Sequence, residues 1–194
     1  PNLIVKDKKG CSMAEGMRRL AEGEYDAFVT AGSTGAAVMG STFIVKRIKG
    51  VKRAALAPIM PSAKKGIMVI DIGANAECRP EMLVQFALMS SIYMEYAESV
   101  KSPKVGLLNI GVEETKGTPL QLEAYRMLKK APLNFIGNIE AREIPSGNCD
   151  IIVTDGFSGN IVLKLTEGVA MYLFGMVKSA FKTNAKTKLA AAMM

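Results

Sequence analysis

Six short apolar runs are spread along the chain, and each leads into a glycine-containing loop followed by a helical pattern. Within these runs the apolar residues follow one another, whereas a half-buried strand would alternate them with polar residues. Continuous hydrophobicity predicts strands covered on both faces, which is typical of a parallel sheet between layers of helices. The predicted strands cover residues 26–30, 54–57, 67–71, 105–110, 133–136 and 151–155.

Amphipathic helices are predicted between the strands, because apolar residues recur there at three- and four-residue spacing. The clearest stripes are Met13, Met17 and Leu20; Met82, Leu83, Phe86, Met89 and Tyr93; and Leu120, Ala124, Tyr125 and Leu128. Strands alternating with helices predict an α/β fold. No linker or repeat divides the sequence, so we expect residues 1–194 to form a single α/β catalytic unit. Because the sequence starts at Pro1 without a methionine, we expect this unit to be part of a longer chain.

The C-terminal segment 161–181 has apolar residues that fit one wide helical face. They are Leu165, Val169, Tyr172, Leu173, Met176, Val177 and Phe181. Packing in a core or a dimer is the first expectation for such a face. Basic residues around it, Lys164, Lys178, Lys182, Lys186 and Lys188, leave a reversible membrane contact as the alternative. The longest apolar run there, 169–177, is shorter than the ~20 residues that cross a bilayer, so we expect no transmembrane span and a cytoplasmic location.

The compositional feature that most restricts the possible catalytic mechanisms is the absence of histidine from all 194 residues. Ser-His-Asp catalysis, Cys-His catalysis and histidine metal sites are thereby excluded within this sequence. Cys11, Cys78 and Cys149 are far apart and form no C-x-x-C pair, which predicts free buried thiols. We therefore expect neither a metal nor a cofactor. The net charge of +7 favours an anionic partner: nucleic acid, a phosphorylated small molecule, an acidic carrier protein or anionic lipid.

Four of the loops that follow predicted strands are rich in glycine, asparagine, threonine and acidic residues, and such loops meet at one edge of a parallel sheet. Their candidate contacts to phosphate or another small anion are Gly32, Ser33, Thr34, Gly35, Asp71, Asn75, Asn109, Glu113, Asp155 and Gly159. Lys116 is the candidate cation. The spacing around Lys116 and Gly117 is not that of a P-loop, so ATP binding is not indicated. Tight turns and helix capping are the competing explanation for the first two loops.

No residue in these loops is an obvious protein nucleophile, which suits a reaction whose nucleophile arrives already anionic. Inorganic phosphate attacking a thioester needs no strong base. The departing thiolate, with a pKa of about 8.5, needs little help from an acid. Positioning and stabilisation of the oxyanion would then carry most of the catalysis.

Five segments in this order, 26–36, 71–75, 105–111 with 114–117, 134–140 and 155–160, resemble those of the bacterial phosphate acyltransferases of phospholipid synthesis, the PlsX family. The resemblance implies a Rossmann-like three-layer sandwich with a mostly parallel sheet, similar to isopropylmalate dehydrogenase and phosphotransacetylase, in a homodimer. It implies transfer of an acyl group from acyl carrier protein to inorganic phosphate. The acyl phosphate would pass to glycerol-phosphate acyltransferase, with weak peripheral association at the inner face of the membrane.

Two catalytic residues are implied by the match to the family motifs. Lys116 would contact the phosphate or the thioester oxyanion, and Asn160 would donate a hydrogen bond to the same centre.

Two other classes remain as alternatives. A dehydrogenase of the same fold group would need a G-x-G-x-x-G loop or a cluster of acids suited to magnesium, and the sequence shows neither. A basic module binding an acidic protein or nucleic acid is suggested by Lys6, Lys8, Lys9 and the basic cluster within 46–53. Nucleic acid is not the expected partner, because only 6% of residues are aromatic and tryptophan is absent.

Overall fold

The computed structural model describes residues 3–6, 10–183 and 187. Its contacts divide the chain into two compact units, Pro1–Gly159 and Asn160–Met194, which are described separately. The expectation of one catalytic unit stays a prediction. Several predicted basic residues lie outside the described part: Lys8, Lys9, Lys186, Lys188 and the side chain of Lys6.

A five-stranded sheet in the order β1-β2-β5-β3-β4 forms the centre of the first unit. Its strands are β1 (Ile59–Met60), β2 (Ile67–Ile70), β3 (Lys104–Asn109), β4 (Asn134–Glu140) and β5 (Ile151–Val153). Strand β1 is antiparallel to β2, and the other neighbours are parallel. The α/β class and the mostly parallel sheet are thereby confirmed.

Two helices follow strands of this sheet and pack against it with the apolar stripes that the sequence predicts. They are α4 (Pro80–Tyr96) and α5 (Pro119–Lys130). Leu83 and Phe86 of α4 and Leu128 of α5 are fully buried with the apolar residues of β2, β3 and β5. These three strands are covered on both faces, which explains why their sequences are continuous apolar runs.

Four short elements form the N-terminal part of the first unit: α1 (Leu3–Lys6), α2 (Ser12–Ala21), α3 (Thr34–Gly40) and a π-helical turn (Ser41–Lys46). Met17 of α2 is buried, in agreement with its predicted stripe, and lies against Gly40 of α3. A short 3₁₀ helix (Ala141–Ser146) follows β4.

Two predicted strands are wrong. Residues 26–30 have no strand conformation, and Val29 is 93% exposed. Residues 54–57 run beside β2, but their bonds are irregular: Leu56 N–H donates to the Asp71 side chain at 3.0 Å, and Ile72 N–H donates to Leu56 O at 3.1 Å. A short apolar run predicts burial better than it predicts a hydrogen-bonded ladder, because the ladder depends on a distant partner strand.

Helix α6 (Gly156–Phe181) begins in the first unit and continues through the described part of the second. Its predicted apolar face is open: Leu165, Val169, Tyr172, Leu173, Met176 and Val177 are each between 47% and 67% exposed. Helix α6 has 26 residues and contains an 18-residue window with a mean hydropathy of 1.3, so it has the length and composition of a membrane-crossing helix. Its first turn, however, contains the buried Gly156 and Gly159. The absence of a transmembrane span stays a prediction.

Candidate active site

The loops that follow β2, β3 and β5 lie at one edge of the sheet, because these three strands are parallel. The loop after β2 touches the loop after β5 directly. Asp71 N–H donates to Thr154 O at 3.1 Å, and Gly156 N–H donates to Asn75 O at 2.8 Å. Three of the four predicted loops therefore end at the same edge.

Asp71 is completely buried, and its carboxylate is occupied by the chain itself. One oxygen accepts from the N–H groups of Leu56, Gly73 and Ala74, and the other accepts from the main-chain and side-chain nitrogens of Asn75, all at 2.7–3.1 Å. A buried carboxylate needs such donors. Asp71 shapes the loop 71–75, and its predicted contact with phosphate is untested.

Asn75 and the start of α6 fit together closely. The Asn75 amide donates to Ala54 O at 2.8 Å, and the Asn75 carbonyl caps Gly156 N–H. A Cβ at Gly156 would lie 2.5 Å from Asn75 O, and one at Gly159 would overlap Asp71 O. Gly159 therefore packs closely against the loop 71–75, and its predicted contact with phosphate stays a prediction.

Asp155 begins α6 as its capping residue. Its carboxylate accepts from Ser158 N–H at 2.8 Å and from Ser158 Oγ at 2.9 Å, and the side chain is only 7% exposed. Aspartate at this position satisfies helix N–H groups that would otherwise lack acceptors. Both of its oxygens are thus engaged before any ligand binds.

Lys116 lies on the loop after β3, where two asparagines hold the backbone. Asn109 donates from Nδ2 to Lys116 O at 3.0 Å, and Asn138 of β4 donates from Nδ2 to Glu113 O at 2.8 Å. The stem of Lys116 passes over the buried Gly111, where a Cβ would lie 3.1 Å from Lys116 Cγ. The Lys116 ammonium is exposed and forms no ion pair with any described residue.

A third contact ties this loop to α5. The Glu114 carboxylate accepts from Tyr125 Oη and from Lys129 Nζ, each at 2.9 Å. The hydrogen bond from Lys129 lowers the pKa of Glu114. Glu113, the predicted ligand contact beside it, has an exposed side chain near Gly111. The backbone that carries Lys116 is therefore fixed while its ammonium group is free.

The described contacts of the first predicted loop are with its own residues and with α2. Gly32 N–H donates to Thr30 Oγ1 at 3.0 Å, and Gly32 lies against Met13. Ser33 precedes α3 without a side-chain capping bond, and Thr34 and Gly35 form its first turn. Within residues 10–183, no hydrogen bond or ion pair joins this loop to the other three. Asn160, the second predicted catalytic residue, is exposed and opens the second unit.

Two cavities open at the edge formed by the strand ends. The first, here called the basic cavity, has a volume of about 730 Å³ and is lined by Lys52, Arg53, Ala74, Asn75, Glu77, Cys78, Arg79, Glu81 and Met82. The second, of about 650 Å³, is lined by Ala76, Glu77, Cys78, Thr118, Leu120, Gln121, Asp155, Phe157 and Ser158. They share Glu77 and Cys78. The described residues contain no group of three or more acidic or cysteine side chains arranged for a metal ion.

Cys78 separates the two cavities and is half-buried. Burial raises the pKa of its thiol to about 11; the charges of Asp71 and Asp155 add to this effect, while Gly156 N–H and Arg53 oppose it. All three cysteines are free, as predicted, but only Cys149 is buried. At neutral pH Cys78 is a protonated thiol and a poor nucleophile.

The cations of the basic cavity were not among the predicted site residues. Arg53 belongs to the basic cluster 46–53, which suggests the alternative of a basic binding module, and Arg79 stands beside Cys78. One signal in the sequence identifies Arg79: it immediately precedes the Pro80-Glu81 start of a helix. A cation is unfavourable there unless an anion is nearby.

The fold of this α/β protein is also found in two phosphotransacetylases. A phosphotransacetylase from Streptococcus pyogenes matches 81% of this chain and 54% of its own with a TM-score of 0.64, at 19% identity. EutD phosphotransacetylase from Staphylococcus aureus matches 80% of this chain and 55% of its own with a TM-score of 0.61, at 20% identity. At such low identities the likeness shows the fold.

The family model described as fatty acid synthesis protein matches residues 1–194, so this chain belongs to that family. Over its full 194 residues it is similar to proteins called phosphate acyltransferase: 50% identical in Clostridium tetani, 47% in Alkaliphilus oremlandii and 48% in Clostridium acetobutylicum. The resemblance found in the five segments is confirmed. The chain spans 58%, 58% and 59% of the lengths of these relatives.

Proposed function

We propose that this protein transfers a fatty acyl group from acyl carrier protein to inorganic phosphate and so makes acyl phosphate for phospholipid synthesis. The single observation that carries the proposal is the exposed ammonium of Lys116, which has no ion-pair partner among the described residues and lies on a loop fixed by Asn109 and Asn138. Supporting it are the family and the relatives called phosphate acyltransferase, which match the chain over its full length.

The proposed reaction needs no protein nucleophile. An oxygen of phosphate attacks the thioester carbonyl carbon, and the carbonyl π electrons move to oxygen, giving a tetrahedral oxyanion. The oxyanion then re-forms the carbonyl as the carbon–sulfur bond breaks, and the carrier leaves as a thiolate. Lys116 offsets the charge of the phosphate or the oxyanion. The hydrogen bond expected from Asn160 stays a prediction.

The fixed backbone around Lys116 is what this mechanism requires. A charge stabilises a transition state most effectively when it is positioned before the reaction, because no free energy is then spent on ordering it. The contacts of Asn109, Asn138 and Glu114 fix this loop from β3, β4 and α5.

Homodimer formation and peripheral membrane contact belong to the same proposal, with glycerol-phosphate acyltransferase receiving the product. The exposed apolar face of α6 supports contact with either a second subunit or a membrane. Flotation with neutral and anionic vesicles at low and high salt, together with sedimentation, separates the two. Salt-sensitive recovery on anionic vesicles supports the membrane; a stable dimer with no recovery assigns the face to the partner subunit.

Incubation of the chain with long-chain acyl carrier protein and radiolabelled phosphate tests the activity. Labelled acyl phosphate is expected, at an unchanged rate after EDTA treatment. Loss with EDTA and rescue by one divalent ion would overturn the metal-free mechanism. No product, with retained carrier binding, would favour the alternative of a basic binding module.

A further inference from the structure

The basic cavity has three cationic side chains in its lining, Lys52, Arg53 and Arg79. None of them is ion-paired with any residue in the described part of the chain. Elsewhere in the first unit some cations have carboxylate partners, among them Lys65, Arg126 and Lys129, and others, such as Lys116, have none among the described residues. What distinguishes the three cations is therefore their place together in one concave lining. Cations that line a concave surface without partners are available to an anionic ligand.

Arg53 is carried by a backbone that two amide side chains hold in place. On one side, Lys52 N–H donates to Gln85 Oε1 at 2.9 Å, and Gln85 Nε2 donates to Gly50 O at 2.9 Å. On the other side, Ala54 O accepts from Asn75 Nδ2 at 2.8 Å. Both neighbours of Arg53 are therefore fixed from other elements. Binding by a preorganised group loses less conformational entropy.

Arg79 caps the start of α4, a helix of 17 residues, with an extended backbone and no side-chain capping bond. The positive end of the helix macrodipole lies there, so the arginine charge is unfavourable unless a negative charge is close to it. An anion in the cavity would be attracted by both the helix end and the guanidinium. The start of α4 therefore adds to the attraction that the cavity lined by Arg53 exerts on an anion.

We propose that the basic cavity binds a phosphate group through Arg53 and Arg79, with Lys52 adding charge. Guanidinium groups suit this ligand because their planar N–H donors pair with two phosphate oxygens at once. Two sources share this chemistry: free inorganic phosphate, and the phosphodiester that joins the pantetheine arm to a carrier protein. The choice of sources rests on the proposed function, whereas the site itself rests on the cavity.

Two carboxylates in the same lining provide a second test of phosphate binding. Glu77 and Glu81 form no ion pair with the three cations, so they reduce the attraction for phosphate without closing the site. Replacing both with glutamine is expected to tighten phosphate binding. A cavity that is simply a solvated surface would show no such gain.

Isothermal titration calorimetry tests the site, with inorganic phosphate, acyl carrier protein bearing its arm, and carrier without its arm as probes. At least one phosphate-bearing probe is expected to bind, and R53Q/R79Q is expected to weaken it by about tenfold or more. The control R126Q/K130Q removes the same charge from the far end of α5. Binding of neither probe, or equal weakening in both variants, would overturn the proposal.

The probes also identify the source. Weakening with inorganic phosphate assigns the cavity to the substrate, and weakening only with the arm-bearing carrier assigns it to the phosphodiester. Failure of the site is distinguishable from failure of the function. If R53Q/R79Q makes acyl phosphate with unchanged KM for phosphate and for carrier, the cavity proposal is wrong while the proposed activity stands. If the unmodified protein binds phosphate but makes no product, the cavity proposal stands while the proposed activity is wrong.

Discussion

The side-chain amide of Asn138 donates a 2.8 Å hydrogen bond to the main-chain oxygen of Glu113, which lies 25 residues earlier. Asn138 is 7% exposed, and its own Oδ1 has no partner among the described residues. One buried amide of β4 thus holds the loop that carries Lys116. Its role is to position Lys116 without touching the substrate.

Asn138→Ser should lower acyl phosphate formation by about tenfold, because the shorter side chain cannot reach Glu113 O and the loop loses one anchor. Asn134→Ser is the matched control: Asn134 begins the same strand and makes the same kind of bond, to Ser102 O at 2.8 Å. Kinetics and thermal melting of both variants check this. Equal loss of turnover in the two would assign Asn138 to stability alone.

Gly159→Ala should destabilise the protein, since the new methyl group would overlap Asp71 O. We expect a loss of about 1–3 kcal/mol in the free energy of unfolding. Gly168→Ala on the same helix meets no atom within 4 Å and should be neutral or stabilising by up to ~1 kcal/mol. Urea unfolding measures both. Similar stabilities would show that α6 does not start against the loop 71–75.

The Cys78 thiol should react slowly with iodoacetamide at pH 8 in the folded protein. Its pKa is raised to about 11, mainly by burial, so the thiolate is rarer than in the unfolded chain by roughly two orders of magnitude. Because the folded pKa is the higher one, this group stabilises the fold below about pH 9, and that contribution is lost as the pH rises toward 11. Mass spectrometry of the Cys78 peptide, with and without denaturant, measures the rates. Equal rates in the two states would contradict the burial.

Much of the sheet was predictable because β2, β3 and β5 are covered on both faces, which leaves continuous apolar runs in the sequence. Residues 54–57 show where this signal fails: they are apolar, but the side chain of Asp71 takes the place of a strand partner.

The candidate site was predictable only as a set of loops. Asp71 and Asp155 follow strands and Asn109 ends one, as expected, yet their polar atoms bind the chain's own backbone. Sequence alone does not distinguish an aspartate that shapes a loop from one that binds a ligand, because both require the same residue at the same strand end. Arg53 was missed as a site residue because its position depends on contacts with Gln85 and Asn75, which are distant in sequence.

The most direct test of the central claim compares acyl phosphate formation by the unmodified chain, Lys116→Gln and Lys130→Gln, with acyl carrier protein and phosphate as substrates. Lys130 is an exposed lysine at the end of α5 and serves as the charge-matched control. Lys116→Gln should lower turnover by about 100-fold or more at an unchanged melting temperature, and Lys130→Gln should leave it unaltered. Equal turnover in all three proteins would contradict the account, since the fixed loop would then present a lysine that the reaction does not use.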